Sequence, residues 1–497
     1  MNSLFLNWSY AKQSKHPISK GMQHAKAESE SEAPPKPAVR GELVKGPVPT
    51  ALMRLLLPMI VGLLAVISQP VIDTYFVALL GTRELAAMAY IFPVAFVISS
   101  ILIGIGVGAT AVLARQFGAG NLTEARATVF HTLLLGVIAV AIGAAVLIPF
   151  QTTLFRALGA SEELLPLISE YMDVFLIGLF TMALPMLGST SLRAKGEVKL
   201  SSLIMIVVAV VNAVLDPVLI FGFGPIPALG FKGAALASVA SNFAASTMAI
   251  YLLRRGDQLL RFDMHSRDLL MENWRKVLHV GLPSALTNSI SPLSGMVLVI
   301  IVARFGEAAV AGWGVAVRIE MLAIIIPLAM SACIGPFVGQ NMGAGRVDRM
   351  REAMRFSFFS ATVYCLFIFL IMLFFAPQIV ALFDDTPATI QFTSGYLIAV
   401  SASYPLYAFI MITTGAFNAL GVPRPNMVLY SLKLLVIYLP CAWYGAEYFG
   451  FNGVVAAAVI SNVVPGIAAL LWYRAQFPKV RPLQDVDTGL LPGAANT

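Results

Sequence analysis

Long apolar stretches separated by short polar breaks run through most of the chain. A helix needs about 20 apolar residues to cross the hydrocarbon core of a bilayer, because each residue adds about 1.5 Å. Twelve stretches reach that length, with approximate bounds 52–80, 85–114, 126–152, 164–191, 200–222, 231–253, 278–304, 308–338, 355–383, 391–419, 426–446 and 451–473. The pattern predicts an all-α integral membrane protein with twelve transmembrane helices.

Composition excludes a soluble protein of this size. Of the 497 residues, 58% are hydrophobic and 12% are charged, about half the charged share of ordinary soluble domains. The net charge of +7 does not indicate a nucleic-acid partner, because the Lys and Arg residues are spread between apolar stretches rather than gathered in one patch. The three cysteines lie inside apolar stretches without C-x-x-C spacing, so we predict neither a disulfide framework nor a metal site.

The basic residues predict the orientation and the domain organisation. Most loop cations follow even-numbered stretches, as Arg115, Arg193 and Arg346 do. By the positive-inside rule these loops and both tails are predicted to be cytoplasmic. The expected domains are a disordered tail (1–50), an N-terminal six-helix lobe (51–253), a cytoplasmic linker (254–277), a C-terminal six-helix lobe (278–475) and a short C-terminal tail (476–497).

The two halves are an internal repeat. Equivalent motifs recur at a shift of 225 residues, and the shift becomes 220 after a five-residue deletion. The matches are Leu57-Pro58 with Leu282-Pro283, Gly118-Ala119-Gly120 with Gly343-Ala344-Gly345, Tyr171 with Tyr396, and Ser241-Asn242 with Ser461-Asn462. Each half has an even number of helices, so both halves insert the same way and are related by an axis along the membrane normal. Two lobes with a central cleft are predicted.

The order and spacing of several motifs resemble one transporter family. These motifs are Val71-Ile72-Asp73-Thr74, Gln116-Phe117-Gly118-Ala119-Gly120, Leu192-Arg193-Ala194-x-Gly196, Asn212-Ala213-Val214-Leu215-Asp216-Pro217 and Gly339-Gln340-Asn341-Met342-Gly343-Ala344-Gly345. Over residues 50–475 the chain resembles the multidrug and toxic compound extrusion (MATE) transporters. The resemblance implies a bacterial inner-membrane antiporter that exports amphipathic, often cationic compounds in exchange for protons or sodium ions.

Carboxylates inside apolar stretches are few and costly, so each one requires an explanation. Asp73 follows Pro70 by one turn, and Asn212 and Asp216 share one helix face next to Pro217. Each proline frees a backbone carbonyl. Together these groups could hold a proton or a small cation such as Na⁺. The resemblance implies that Asp73, Asn212 and Asp216 couple ion entry to transport. The alternative is a structural hydrogen-bond network between the two helices.

The second half does not repeat these acids. Asp73 corresponds to Leu298, and Asp216 corresponds to Val436. With acids in one lobe only, the chain resembles the DinF-like branch of the family. The resemblance also implies that helix 1 bends at Pro58. The alternative is that Pro58 lies in the first turn of the helix, where its missing N–H costs little.

Substrate contacts are predicted from residue chemistry. Polarizable methionines and aromatic rings suit promiscuous binding of lipophilic cations. The candidates for the cleft are Met182, Met186, Met330, Tyr404, Tyr407 and Met411, together with Glu320. Ordinary helix packing is the alternative for the uncharged residues. Glu320 and Arg318 could also pair with other helices as structure.

Three alternative functions share parts of this pattern. A lipid-linked precursor flippase would require a strongly cationic cleft, and a membrane-embedded enzyme would require a catalytic motif; neither feature is found. A small-metabolite exporter of the same fold cannot be separated by sequence from a drug exporter. We therefore expect a monomeric transporter in the lipid bilayer, acting on small molecules, with no enzyme activity and no cofactor besides H⁺ or Na⁺ as the coupling ion.

Overall fold

The computed structural model describes residues 41–261 and 267–480. Within these ranges the chain is almost entirely helical. The helices are α1 (Val48–Ala78), α2 (Thr82–Gly118), α3 (Leu122–Ala157), α4 (Leu165–Lys195), α5 (Val198–Phe221), α6 (Gly230–Arg254), α7 (Arg267–Ala303), α8 (Glu307–Ala323), α9 (Ile325–Gly343), α10 (Val347–Ala381), α11 (Pro387–Ser401), α12 (Tyr404–Ala419), α13 (Arg424–Ser431), α14 (Leu439–Phe449) and α15 (Phe451–Gln476).

These helices form the twelve predicted crossings. Nine crossings are single helices, and three contain an irregularity: α8 and α9 meet at Ile324, α11 and α12 bend by 57°, and a π-helical segment, Leu432–Tyr438, joins α13 to α14. A proline follows each irregularity closely, at Pro327, Pro405 and Pro440. Because proline cannot donate to the carbonyl four residues earlier, it disrupts the regular helix at that point. All three irregularities fall in the second half.

The two large apolar cores correspond to the two lobes, but α1 and α7 contribute to both. The first part of α1, including Leu52 and Met59, packs into the core of the C-terminal lobe, whereas Val77 near its end packs into the N-terminal core. Its repeat equivalent α7 crosses in the opposite sense, with Val277 in the N-terminal core and Ile301 in the C-terminal core. The exchange is symmetric, as expected for two parallel repeats.

The lobes meet near one face of the bundle. We call it the N face: the face at which α1 begins and at which α2 and α9 end. A Cβ atom at Gly118 would lie 1.9 Å from the carbonyl oxygen of Gln340, and one at Gly343 would lie 2.0 Å from the carbonyl oxygen of Arg115. The two contacts are equivalent at the shift of 225. Glycine is required here because the backbones of α2 and α9 touch across the lobes.

A glycine turn follows each of these two helices. Gly120 and Gly345 adopt φ values of +77° and +71°, in the left-handed region that favours glycine. Gly118 and Gly343 are the last residues of their helices rather than turn residues. Their role is therefore the close contact between the lobes.

Three predicted domain boundaries are wrong in part. Residues 42–44 form a 3-10 helix and α1 begins at Val48, so the N-terminal tail does not extend to residue 50. Helix α7 begins at Arg267 and takes up much of the predicted linker. Phe477 is fully buried, so the start of the predicted C-terminal tail belongs to the core. The rest of both tails, 1–40 and 481–497, lies outside the described residues.

Candidate functional site

The acids predicted on helices 1 and 5 come together in the N-terminal lobe. Asp73 of α1 lies next to Asn212 and Asp216 of α5. The exposed fraction is 6% for Asp73 and 0% for the two α5 residues. The Asn212 amide donates to Asp216 Oδ1 at 3.4 Å. The helices approach closely at Gly62, where a Cβ atom would lie 3.0 Å from the Ser202 hydroxyl oxygen.

This acidic cluster has unused hydrogen-bond acceptors. Asp73 Oδ1, Asn212 Oδ1 and Asp216 Oδ2 are buried and have no hydrogen-bond partner among the residues that the structure describes. A buried polar atom without a partner costs free energy, which binding of a proton or a small cation would recover. Tyr171 of α4 lies beside Asp73 and near Ser238 of α6. The three oxygens could therefore hold H⁺ or Na⁺ inside the lobe.

The prolines on these helices lie within regular helix. Helix α1 is continuous through Pro58 and Pro70, and α5 contains Pro217. Pro58 lies more than two turns after Val48, so the alternative that it occupies the first turn is wrong. The carbonyl of Pro70 accepts a hydrogen bond from the Thr74 hydroxyl at 2.7 Å. Bending at these prolines stays a prediction.

A second polar cluster lies in the C-terminal lobe. Tyr396 of α11 donates to Glu320 Oε2 at 3.3 Å. Lys433 of the π-helical segment donates to Asn462 Oδ1 of α15, and its ammonium lies 4.1 Å from the centre of the Tyr407 ring. The Asn462 amide donates in turn to the Ser403 hydroxyl at 2.8 Å. Glu320 and Lys433 are close enough to interact electrostatically, but they form no direct ion pair among the described contacts.

The three helix irregularities converge on this C-lobe cluster. Glu320 lies one turn before the break between α8 and α9, Ser403 lies in the bend between α11 and α12, and Lys433 lies in the π-helical segment. The buried hydroxyl of Tyr404 has no hydrogen-bond partner within the described part of the chain, and Tyr404 and Tyr438 both interact electrostatically with Glu320. Irregular turns of this kind are frequent at functional sites.

Sequence reasoning identified Glu320 but missed most of its neighbours. Lys433 was recognisable as one of the few cations inside an apolar stretch, and Asn462 was recognisable as the repeat equivalent of Asn242. Nothing in the spacing showed that they would meet Glu320, because they lie on three different crossings. Arg318, by contrast, is exposed and is not among the groups that bond Glu320.

The predicted cleft residues divide into two groups. Met330, Tyr404 and Met411 have exposed fractions of 0%, 1% and 5%, so in this conformation they belong to the core and line no accessible cleft. Met182, Met186 and Tyr407 are half-buried and stay candidates for substrate contact. For the first three residues, the packing alternative describes this conformation better.

Comparison with known proteins gives consistent matches over both repeats. The family model MatE matches residues 58–218 and 283–444, two segments whose starts differ by the repeat shift of 225. The chain is 34% identical to a protein of Shewanella oneidensis described as an FAD transporter, over 88% of this chain and 96% of that protein. It is 26% identical to the multidrug export protein MepA of Staphylococcus aureus, over 86% of this chain and 94% of that protein.

Solved structures share the architecture. The Vibrio cholerae MATE transporter VcmN in its bent form is 29% identical, with a TM-score of 0.81 over 87% of this chain and 97% of that chain. A multidrug resistance MATE family transporter in an outward-facing conformation is 28% identical, with a TM-score of 0.82 over 90% of this chain and 99% of that chain. The predicted two-lobe fold of twelve crossings is confirmed.

Proposed function

This chain belongs to the MATE family of multi-pass membrane transporters, and from that premise we propose that it is a secondary active exporter driven by entry of H⁺ or Na⁺. The observation that carries the proposal is the buried acidic cluster of Asp73, Asn212 and Asp216 with its three unpartnered oxygens. An ion can drive transport only if it binds the two facing states with different affinity. Because α1 packs into both cores, a change at Asp73 can alter how the lobes fit together.

The proposed orientation places the N face in the cytoplasm. Loops on that face carry most of the basic residues, as the positive-inside rule requires for cytoplasmic loops. In this conformation the lobes touch near the N face. The predicted cleft between them would therefore open to the opposite side, which is the outside of the cell. The protein would act as a monomer in the bacterial inner membrane, with both termini in the cytoplasm. It would carry out no chemical reaction.

The first substrate class is amphipathic organic cations. This proposal is supported by the relatives described as multidrug export proteins. Half-buried Met182, Met186 and Tyr407 offer polarizable and aromatic surfaces for such compounds. Movement of the emptied lobes after ion binding would complete an alternating-access cycle.

The second substrate class is a flavin dinucleotide. It is favoured by the relative at 34% identity, which is described as an FAD transporter and is more similar to this chain than MepA is at 26%. The Lys433 ammonium makes the C-lobe cluster less acidic than the N-lobe cluster, which suits a substrate that carries negative charge. This class corresponds to the small-metabolite alternative considered from the sequence.

Purified protein in liposomes can decide among these possibilities. We expect an imposed pH or sodium gradient to drive accumulation of either a cationic dye or FAD, and liposomes without a gradient to show none. Comparing the two gradients identifies the coupling ion, and comparing the two substrates identifies the class. Transport of neither compound under either gradient, by protein shown to be folded, would contradict the proposed function.

A further inference from the structure

The chain segment that precedes α1 runs along the contact between the lobes. We call residues 41–47 the strap. It contains the short 3-10 helix Glu42–Val44, and the side chains of Leu43 and Val44 are buried, with exposed fractions of 5% and 0%. A segment that buries two apolar side chains at a domain contact is part of that contact rather than a free tail.

On one side, the strap is held by the C-terminal lobe through its backbone. The Leu43 amide donates to Gln340 Oε1 at 3.1 Å. The Arg349 guanidinium donates to the carbonyl oxygens of Leu43, Lys45 and Gly46 at 3.3, 3.2 and 2.6 Å. The Asn341 amide donates to the Leu43 carbonyl at 3.2 Å. These contacts use backbone atoms of the strap, so they require a particular backbone conformation but not particular side chains.

On the other side, the strap touches the N-terminal lobe. A Cβ atom at Gly196 would lie 3.3 Å from Leu43 Cγ, and one at Gly41 would lie 3.5 Å from the Cα of Gly118. Gln340, which binds the strap, also donates to the Ala194 carbonyl at 2.8 Å. Partial burial, together with the nearby Glu197 carboxylate, raises the pKa of Glu42. The strap therefore fills the junction at which both lobes and both repeats meet.

In the second repeat, the described positions that correspond to the strap are helical. At the shift of 225 its equivalent residues fall at 266–272, and residues 267–272 form the first turns of α7. At this shift, the contacts of Arg349 and Gln340 with the strap have no copy within 41–261 and 267–480.

We propose that the strap is a latch that holds the N face closed and must detach from the C-terminal lobe before the lobes can separate there. The proposal rests on the alternating access of the proposed function. It adds a defined conformational gate outside the ion site. If the lobes moved apart at the N face, the strap could not keep its contacts with Gly196 on one side and with Arg349 and Gln340 on the other.

A cross-link tests whether detachment is required. In a variant whose native cysteines are replaced by alanine, Leu43→Cys and Asn341→Cys would be joined by a disulfide or a short bifunctional reagent. We expect transport of the substrate identified above to stop on cross-linking and to return on reduction. Each single-cysteine variant, treated in the same way, is the control and should keep its transport.

Distance measurements test the latch without transport. Spin labels at Lys199 and Glu352, both exposed on the N face, report the separation of the lobes there. Labels at the exposed Glu163 and Asp385 report the opposite face. We expect Arg349→Ala to add a population with a longer distance on the N face and a shorter one on the opposite face. Arg355→Ala, an exposed arginine on the same helix, is the matched control and should change neither distance.

The outcomes separate the latch from the exporter. Altered distances in Arg349→Ala with no gradient-driven transport in any variant would support the latch and refute the proposed function. Unchanged distances in Arg349→Ala, or full transport by the cross-linked protein, would overturn the latch. Variants are compared only after gel filtration and a thermal midpoint show that they are folded.

Discussion

The two lobes share a helical framework but differ in their charges. Tyr171 and Tyr396 are equivalent at the repeat shift, and each lies beside a carboxylate. In the N-terminal lobe that carboxylate is Asp73 of α1, whereas in the C-terminal lobe it is Glu320 of α8. The tyrosine therefore occupies equivalent positions in the two lobes, while the carboxylate beside it lies on a different helix in each.

The nearby cation is the second difference. Glu320 has Lys433 as a neighbour of opposite charge. Among the described residues, Asp73 and Asp216 have only each other and uncharged groups as neighbours. A buried acidic pair without a cation gains from binding a proton or Na⁺, whereas an acid beside a lysine is already compensated. This contrast supports the proposal that ion exchange takes place in the N-terminal lobe and that the C-lobe cluster serves structure or substrate binding.

The largest effect is expected from removal of the N-lobe charge. Asp73→Asn should insert and fold normally but lose gradient-driven efflux, because the amide cannot change charge with the ion. Asp216→Asn should be impaired as well. The measurement is uptake into liposomes under an imposed gradient, normalised to the amount of folded protein.

Asp173→Asn is a suitable control for these variants. Asp173 lies in the same lobe but accepts a hydrogen bond from Gln151 at 2.6 Å, outside the acidic cluster. It should keep most of the transport. Efflux by Asp73→Asn at the rate of the unaltered protein would show that the acidic cluster serves packing only. The proposed ion exchange in the N-terminal lobe would then be wrong.

The next effect concerns the symmetric contact between the lobes. Gly118→Leu and Gly343→Leu should each reduce the yield of folded protein several-fold, because a side chain would collide with backbone of the other lobe. Gly143→Leu is the matched control, since nothing lies within 4 Å of a Cβ atom there. Equal yields for all three variants, measured by fluorescence-detected gel filtration, would show that the lobes do not approach as closely as described.

Loss of the C-lobe cation should destabilise the fold. Lys433→Met leaves the buried Glu320 carboxylate without a nearby cation and should lower stability by about 3 kcal/mol, the low end of the cost of an uncompensated buried charge. The double variant Lys433→Met with Glu320→Gln should recover most of that loss, because neither charge is left alone. Thermal unfolding in detergent checks both values. Additive losses in the double variant would mean that the two groups do not interact.

The smallest effect is expected from Glu320→Gln alone. The Lys433 ammonium keeps Asn462 and the Tyr407 ring as neighbours but loses the nearby carboxylate, so relative transport should shift toward anionic substrates by about fivefold, which corresponds to about 1 kcal/mol. The dependence on the imposed gradient should stay unchanged. A loss of gradient dependence with unaltered substrate preference would place ion coupling in the C-terminal lobe and reverse the comparison.

Local properties of the sequence determined much of the architecture. The bilayer fixes the length of an apolar helix, so the twelve crossings could be predicted from hydropathy alone. The fixed shift of 225 predicted two parallel lobes. Because a charge inside the membrane is costly, Asp73, Asp216 and Glu320 could be identified as candidate functional residues. The contact between α1 and α5 at Asp73 followed from the family resemblance, and the structure places those residues together. The resemblance to the DinF-like branch stays a prediction.

Tertiary structure decided which distant residues meet. The exchange of α1 and α7 between the two cores, the pairing of Lys433 with Asn462 near Glu320, and the burial of Met330 and Met411 all depend on helices far apart in sequence. The strap was predicted as part of a disordered tail because its backbone hydrogen bonds to Arg349 and Gln340 leave no pattern in its own residues. Apolar length is a property of one segment, whereas a buried contact is a property of two segments, and only the folded chain brings the two together.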